Sequence, residues 1–192
     1  MTANHRDSRR SFLARPMAFV LGAAVSVAVA LAIWFVARHH TPDSNSGLFG
    51  AHYTQAVDLK ARLGSALWCL ALIQFGLALW MYGRLPGVQA APRPVHTGHR
   101  VVGLIAFLLS VPIAYHCVVT YGVETTNARV AIHSVCGCVL YGAFVVKVLV
   151  VRSRALSGWL LPLAGSVLVC AIGLLWYTAA LWALNGFNAP GL

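Results

Sequence analysis

Five uninterrupted apolar runs constrain the fold of this 192-residue chain more than any other feature. A helix needs about 20 apolar residues to cross the hydrocarbon core of a bilayer. The runs cover residues 17–37, 62–82, 101–121, 130–150 and 158–184. Because they are continuous rather than alternating, they predict helices and not a β-barrel. Only 9% of the residues are charged, against roughly 25% in a soluble domain, so we predict an all-α integral membrane protein with five transmembrane helices.

The basic residues are divided unevenly between the two sides of the predicted membrane. One side carries Arg6, Arg9, Arg10, Arg15, Arg84, Arg93, Arg100, Lys147, Arg152 and Arg154. The other side carries Arg38, Lys60, Arg62 and Arg129. Since basic residues are retained on the cytoplasmic side, the chain is predicted N-in and C-out in a bacterial plasma membrane. The net charge of +10 therefore reflects topology: the predicted partner is the lipid bilayer, and no nucleic acid is expected.

The chain divides into five predicted parts. They are a cytoplasmic basic tail (1–16), an anchor helix (17–37), an extracytoplasmic link (38–61), a four-helix membrane domain (62–184) and an extracytoplasmic tail (185–192). The anchor run has no ionisable side chain, so we expect helices two to five to form the core. The fifth run has neither histidine nor charge and is interpreted as a packing wall.

Ionisable residues stand at both ends of the third and fourth runs. His99 and His116 bracket the third, and His133 and Lys147 bracket the fourth. Ionisable side chains in a hydrophobic span are costly, which favours a functional role. A short link makes the two helices antiparallel neighbours, so His116 and His133 are expected at similar depth. That geometry suits axial ligation of one b-type haem; hydrogen-bonded structural histidines or another metal are the alternatives.

The remaining charged candidates follow from helical spacing. Arg129 lies four residues before His133 and so on the same face, where it could pair with a haem propionate. Lys147 lies 14 residues after His133, and 14 × 100° leaves −40°, so the matching position holds lysine. We interpret Lys147 as a snorkelling residue or a ligand of a propionate or anionic lipid. For His99 three roles stay open: ligand of a second haem, quinone binding, or structural capping at the membrane interface. We expect one haem per chain, with two as the alternative.

The five cysteines all lie in or at apolar runs, which argues against a secreted disulfide scaffold. Cys117 and Cys136 are predicted near the outer end. They could form a disulfide or, with His116 and His133, a soft-metal site that suits copper. Small buried hydrophobic side chains are the alternative interpretation.

The segment His99-Arg100-Val101-Val102-Gly103 resembles the HR-x-x-G opening of haem-binding helices in ferric-reductase-like and cytochrome b561-like membrane domains. His116 and His133 continue the resemblance, whereas Lys147 stands where those families have a fourth histidine. The resemblance implies haem b on His116 and His133, with His99 as a further ligand. The segments PIAYHC, IHSVCGC and YGAFVVK also resemble an uncharacterised family of actinobacterial multi-pass membrane proteins with a domain of unknown function, over residues 60–184.

These observations predict a membrane b-type cytochrome-like protein that passes electrons between the quinol pool and an extracytoplasmic acceptor through an unknown redox partner protein. Such a protein could be one component of an oxidoreductase. The sequence itself contains no complete catalytic constellation, so whether it is an enzyme stays open. One alternative is a cofactor-free structural or assembly subunit of a membrane complex. The other is a small copper-handling membrane protein.

Overall fold

Five long helices make up almost all of the described chain. The computed structural model describes residues 4–152, 158–188 and 191, with side chains from Met17 onward apart from residue 18. The helices are α1 (Asn4–His39), α2 (Tyr53–Met81), α3 (Arg93–Tyr121), α4 (Ala128–Arg152) and α5 (Leu160–Leu184). All five are long and apolar enough to cross a membrane, and the described ranges contain no strand. The all-helical fold with five spanning-length helices is confirmed; Arg154 lies outside the described residues.

The helices extend past the apolar runs, which corrects the positions of the bracketing residues. The α3 helix begins at Arg93, so His99 lies six residues inside it, and His116 lies five residues before its end. His133 and Lys147 each lie five residues inside α4, at opposite ends. Hydropathy shows only the apolar part of a helix, whereas backbone hydrogen bonding continues through polar residues until a terminus is reached. None of the four residues therefore begins or ends a helix.

The closely packed helix pairs form a row rather than a fully closed bundle. The α2 helix packs against α3 and α5, α5 packs against α4, and α4 packs against α1. Among the described residues, the backbones of α3 and α4 are not a closely packed pair. They meet through side chains instead: the Phe107 and Phe144 rings stack with centroids 4.3 Å apart. The Ser110 hydroxyl also lies 3.2 Å from that of Tyr141, so aromatic side chains occupy the space between α3 and α4.

Small residues bring α1 against α4. The hydroxyl of Ser26 donates a hydrogen bond to the carbonyl of Gly142 at 2.7 Å. A Cβ atom on Gly142 would lie 2.9 Å from the Ser26 carbonyl oxygen, which is too close for an unstrained contact. Small residues permit such close helix approach between apolar helices. Thus α1 packs against α4 and is not joined to the other helices by its link alone.

The end of α1 is also fastened to the link between α3 and α4. The Val123 amide donates to the carbonyl of Ala37 at 3.2 Å, and Ala37 is 1% exposed. Arg38 donates to the Val123 carbonyl at 3.2 Å and lies 3.6 Å from the Glu124 carboxylate. Gly122 has a φ of +66°, and a Cβ there would lie 2.8 Å from the Ala37 carbonyl. Glycine is therefore required at position 122, where the link between α3 and α4 contacts the end of α1.

Candidate functional site

The ionisable residues of α2, α3 and α4 form two groups at opposite ends of the helices. At one end, which we call the His116 end, His116 and His133 both lie within electrostatic range of Lys60. At the other, the His99 end, Lys147 lies within electrostatic range of His99. The structure therefore places His116 and His133 at one end of the helices, and His99 and Lys147 at the other.

His133 is oriented by a threonine on α5. Its Nδ1 lies 3.1 Å from the Oγ1 atom of Thr178. The Thr178 hydroxyl donates its own hydrogen to the Leu174 carbonyl at 2.6 Å, so Oγ1 accepts the hydrogen of His133 Nδ1. A neutral imidazole with its hydrogen on Nδ1 keeps the lone pair on Nε2. Among the described residues, Nε2 of His133 has no hydrogen-bond partner. His133 thus presents one free ligating nitrogen.

Thr178 also binds the arginine of this end. It is fully buried and lies in a π-helical stretch of α5, Trp176–Leu181. Its carbonyl accepts a hydrogen bond from the Arg129 guanidinium at 2.8 Å, and that guanidinium lies 3.9 Å from the ring centroid of Trp182. Single π-helical turns are frequently found at functional sites. The sequence analysis missed Thr178 because α5 was interpreted as a packing wall, although a lone threonine among apolar residues was the available signal.

His116 is engaged through both of its nitrogens. Its ring is 2% exposed, with Nε2 3.1 Å from the Ser46 carbonyl and Nδ1 3.2 Å from the Thr120 hydroxyl. Because a carbonyl only accepts, Nε2 carries the hydrogen and Nδ1 accepts from Thr120. The residue is therefore satisfied by the link between α1 and α2 and by its own helix. Nε2 becomes available to a ligand only when it leaves the Ser46 carbonyl.

Lys60 is a second functional candidate that the sequence analysis missed. Its ammonium lies 4.3 Å from the ring centroid of Tyr121, at the end of α3. It contributes positive charge near both His116 and His133. In the sequence it counted only as one of the basic residues that set topology, because nothing local to Lys60 indicates that the start of α2 lies beside the end of α3.

The His99 end contains two buried polar atoms without hydrogen-bond partners. The Gln74 amide nitrogen donates to the backbone carbonyl of His99. A Cβ on Gly103 would lie 2.8 Å from that nitrogen, so the amide sits in the space that Gly103 leaves. The Gln74 Oε1 and His99 Nδ1 atoms are buried, and neither has a partner within the described part of the chain. The half-buried Lys147 lies within electrostatic range of His99, so this end combines two unpartnered polar atoms with a nearby cation.

The His116 end fits a haem in part. His133 has the hydrogen bonding of a metal-ligating histidine, with Nδ1 bonded to a neighbour and Nε2 free. Arg129 is a cation whose described partners are a carbonyl and an aromatic ring, so a propionate could bind it. His116 does not fit in its observed position, because its Nε2 faces the Ser46 carbonyl. Of the two predicted ligands, His133 thus has a free nitrogen, whereas the corresponding nitrogen of His116 is bonded to Ser46.

The cysteine-based alternatives find little support in the described residues. All five cysteines are free thiols, so the disulfide considered between Cys117 and Cys136 is not formed. No group of three or more histidine, cysteine, aspartate or glutamate side chains comes within metal-binding reach in the described part of the chain. A copper site built from His116, His133 and these two cysteines therefore has no assembled ligand set there.

Comparison with known proteins gives a family and no activity. No curated protein and no solved structure matches the chain significantly. A model described as a family of unknown function, DUF6529, matches residues 17–191. The match is wider than the expected 60–184, and it includes the apolar part of α1 as well as the four helices after it. The chain therefore belongs to DUF6529, a family of unknown function whose model reaches from α1 to beyond the end of α5.

Proposed function

We propose that this protein is a membrane b-type cytochrome that passes single electrons between the quinol pool and an extracytoplasmic acceptor. The observation that supports it most is the state of His133, whose Nδ1 is bound by Thr178 while Nε2 has no partner among the described residues. Histidines that ligate metals commonly donate their second nitrogen to a neighbouring acceptor in this way. The proposal places the N-terminus in the cytoplasm, so that the His116 end is the outer one.

The protein's own residues would orient the cofactor and control its surroundings. A bound haem supplies one-electron redox chemistry, and its potential depends on axial ligands, hydrogen bonding and burial. His133 would hold the iron, and Thr178 would fix the imidazole ring. His116 would be a second ligand once its Nε2 leaves the Ser46 carbonyl, and Arg129 would neutralise a propionate. Lys147 and His99 lie at the other end and take no part in this site.

The separation of α3 and α4 supports the same location. Their backbones are not closely packed, whereas α2 packs closely against α3 and α5 against α4. The gap is filled in its middle by the stacked Phe107 and Phe144 rings and by Tyr141. A flat macrocycle needs helices that are held apart by more than a small side chain. The aromatic layer would also exclude water below the cofactor, which favours a low dielectric around it.

The test is a dithionite-reduced minus oxidised visible spectrum of the detergent-purified protein, with haem measured per chain. One haem per chain with a b-type spectrum is expected. His133→Ala and His116→Ala should each abolish the bis-imidazole spectrum. His39→Ala is the control, because His39 is exposed and bonds only to the Phe35 carbonyl of its own helix. The absence of a Soret band after expression with adequate haem would refute the proposal.

A cofactor-free structural subunit is the second candidate, and His116 favours it. Both nitrogens of His116 are satisfied within the protein, as expected of a histidine that stabilises the join between a link and a helix. In this case His116→Ala would lower the thermal stability of a colourless protein. The same purification and spectrum therefore distinguish the two candidates.

A further inference from the structure

We propose that the His99 end is a quinol-binding site built by Gln74, His99 and Lys147. Binding at this site is independent of any haem, and only the use of the quinol as electron donor rests on the proposed function. These residues come from three different helices, and none of them contributes to the contacts around His133 described above. The site would lie in the cytoplasmic half of the membrane in the proposed orientation.

The three residues lie at similar distances from the helix ends on this side. Gln74 is seven residues from the end of α2, His99 is six from the start of α3, and Lys147 is five from the end of α4. At 1.5 Å per residue these separations correspond to about 8–10 Å along each helix. That depth places polar groups just inside the apolar region, where a ring carrying two oxygens and an apolar tail can enter from the lipid. The cluster is thus positioned for a lipid-soluble ligand.

The unsatisfied atoms specify the chemistry of that ligand. Gln74 Oε1 can only accept a hydrogen bond, and the amide orientation is set because its nitrogen donates to the His99 carbonyl. The Oε1 atom therefore needs a ligand that donates an O–H or N–H group. His99 Nδ1 and the Lys147 ammonium can both donate to a ligand oxygen. A quinol hydroxyl does both, because its hydrogen is donated while its oxygen accepts.

Other ligands satisfy fewer of these atoms. A lipid phosphate offers only acceptor oxygens, so it would neutralise Lys147 but place negative charge beside the Gln74 carbonyl oxygen. A haem macrocycle has no donor for Gln74 Oε1. A buried acceptor left without a donor is destabilising, because it has lost its hydrogen bond to water. A quinol is therefore the ligand class that the described atoms favour over an anionic lipid or a second haem.

The experiment is photolabelling of the full chain in lipid nanodiscs with an azido-substituted short-chain ubiquinol, kept reduced under anaerobic conditions, followed by peptide mapping. The label should map to α2, α3 or α4 near Gln74, His99 or Lys147, and excess decylubiquinol should compete. Gln74→Leu and Lys147→Met should each lower site-specific labelling at least about fivefold, as expected from the loss of one hydrogen bond of about 1 kcal/mol. Arg152→Gln is the matched control, because it removes an exposed basic side chain from the same end of α4.

Three outcomes would overturn the assignment. Labelling spread over the lipid-facing helix surfaces and insensitive to both variants would show no site. Displacement of the label by cardiolipin as readily as by decylubiquinol would identify an anionic headgroup site. Unchanged labelling in Lys147→Met, in a variant that elutes as a folded monodisperse protein, would exclude the lysine. His133→Ala should lose haem but keep the label, so failure of the quinol site and failure of the cytochrome proposal are separately visible.

Discussion

The Nδ1 atom of His133 lies 3.1 Å from the hydroxyl oxygen of Thr178, and this contact joins α4 to the π-helical stretch of α5. The backbone carbonyl of the same threonine accepts a hydrogen bond from the Arg129 guanidinium. Thr178 is therefore the common neighbour of the two α4 residues that the sequence nominated for a haem. Its two contacts explain why His133 and Arg129 are held in fixed positions beside each other.

Thr178→Val should weaken haem binding by about 10–100-fold, the usual effect of removing a hydrogen bond to a ligating histidine. Valine keeps the shape of threonine but cannot accept the hydrogen of His133 Nδ1, so the imidazole can rotate or change tautomer. Haem retained per chain after extended washing, together with the midpoint potential, measures the effect. Thr178→Ser should restore both values. Equal haem retention in all three proteins would show that Thr178 does not orient the histidine.

Thr120→Val should lower the free energy of unfolding by about 1–3 kcal/mol, because it leaves the buried Nδ1 of His116 without a donor. Thermal denaturation in detergent measures the change. Thr97→Val is the control, since Thr97 is exposed on the same helix and bonds weakly to the Arg93 carbonyl at 3.5 Å. Equal melting temperatures for the two variants would contradict the contact between Thr120 and His116.

Gly103→Ala should displace the Gln74 side chain and lower azidoquinol labelling several-fold, with a stability loss of about 1 kcal/mol from one hydrogen bond. The new Cβ would lie 2.8 Å from the Gln74 amide nitrogen, which is the mobile end of that side chain and can move away. Gly98→Ala is the matched control, because a Cβ at that position meets nothing within 4 Å. Similar labelling in both variants would be evidence against a role for the Gln74 amide.

Gly142→Ala should separate α1 from α4 and lower the free energy of unfolding by about 1–3 kcal/mol, the usual cost of overpacking. The added Cβ would lie 2.9 Å from the backbone oxygen of Ser26, which cannot move as a side chain can. Gly137→Ala on the same helix is the control, because its Cβ would have no neighbour within 4 Å. Protease sensitivity of the link between α1 and α2 should rise only in the Gly142 variant.

The sequence predicted the number and type of the helices, because long apolar runs depend on local composition alone. It also placed His116 near His133 in depth, since a short link leaves few arrangements of two antiparallel helices. It did not predict that Ser46 would occupy His116 Nε2. That contact joins residues 70 positions apart, and no local periodicity encodes it.

The same limit explains the helix ends and the missed residues. The bounds predicted for α2 and α3 were too short at their N-termini, because hydropathy does not register polar residues that continue a helix. Lys60 and Thr178 gained their roles only when α2 and α5 were placed beside α3 and α4. In the sequence alone, Lys60 is explained as a basic residue that sets membrane topology, and Thr178 as a small polar residue within an apolar helix.

The π-helical stretch Trp176–Leu181 has a simple meaning in terms of chain length. A π-turn accommodates one more residue than an α-turn over nearly the same rise, so it behaves as a one-residue insertion in a continuous helix. Removing Ala179 should convert α5 to an unbroken α-helix and leave the residues beyond it, Trp182 among them, in nearly the same register, so that the change is confined to the turn that contains Thr178. One surplus residue in an otherwise uniform apolar helix thus makes α5 a partner of Arg129 and His133.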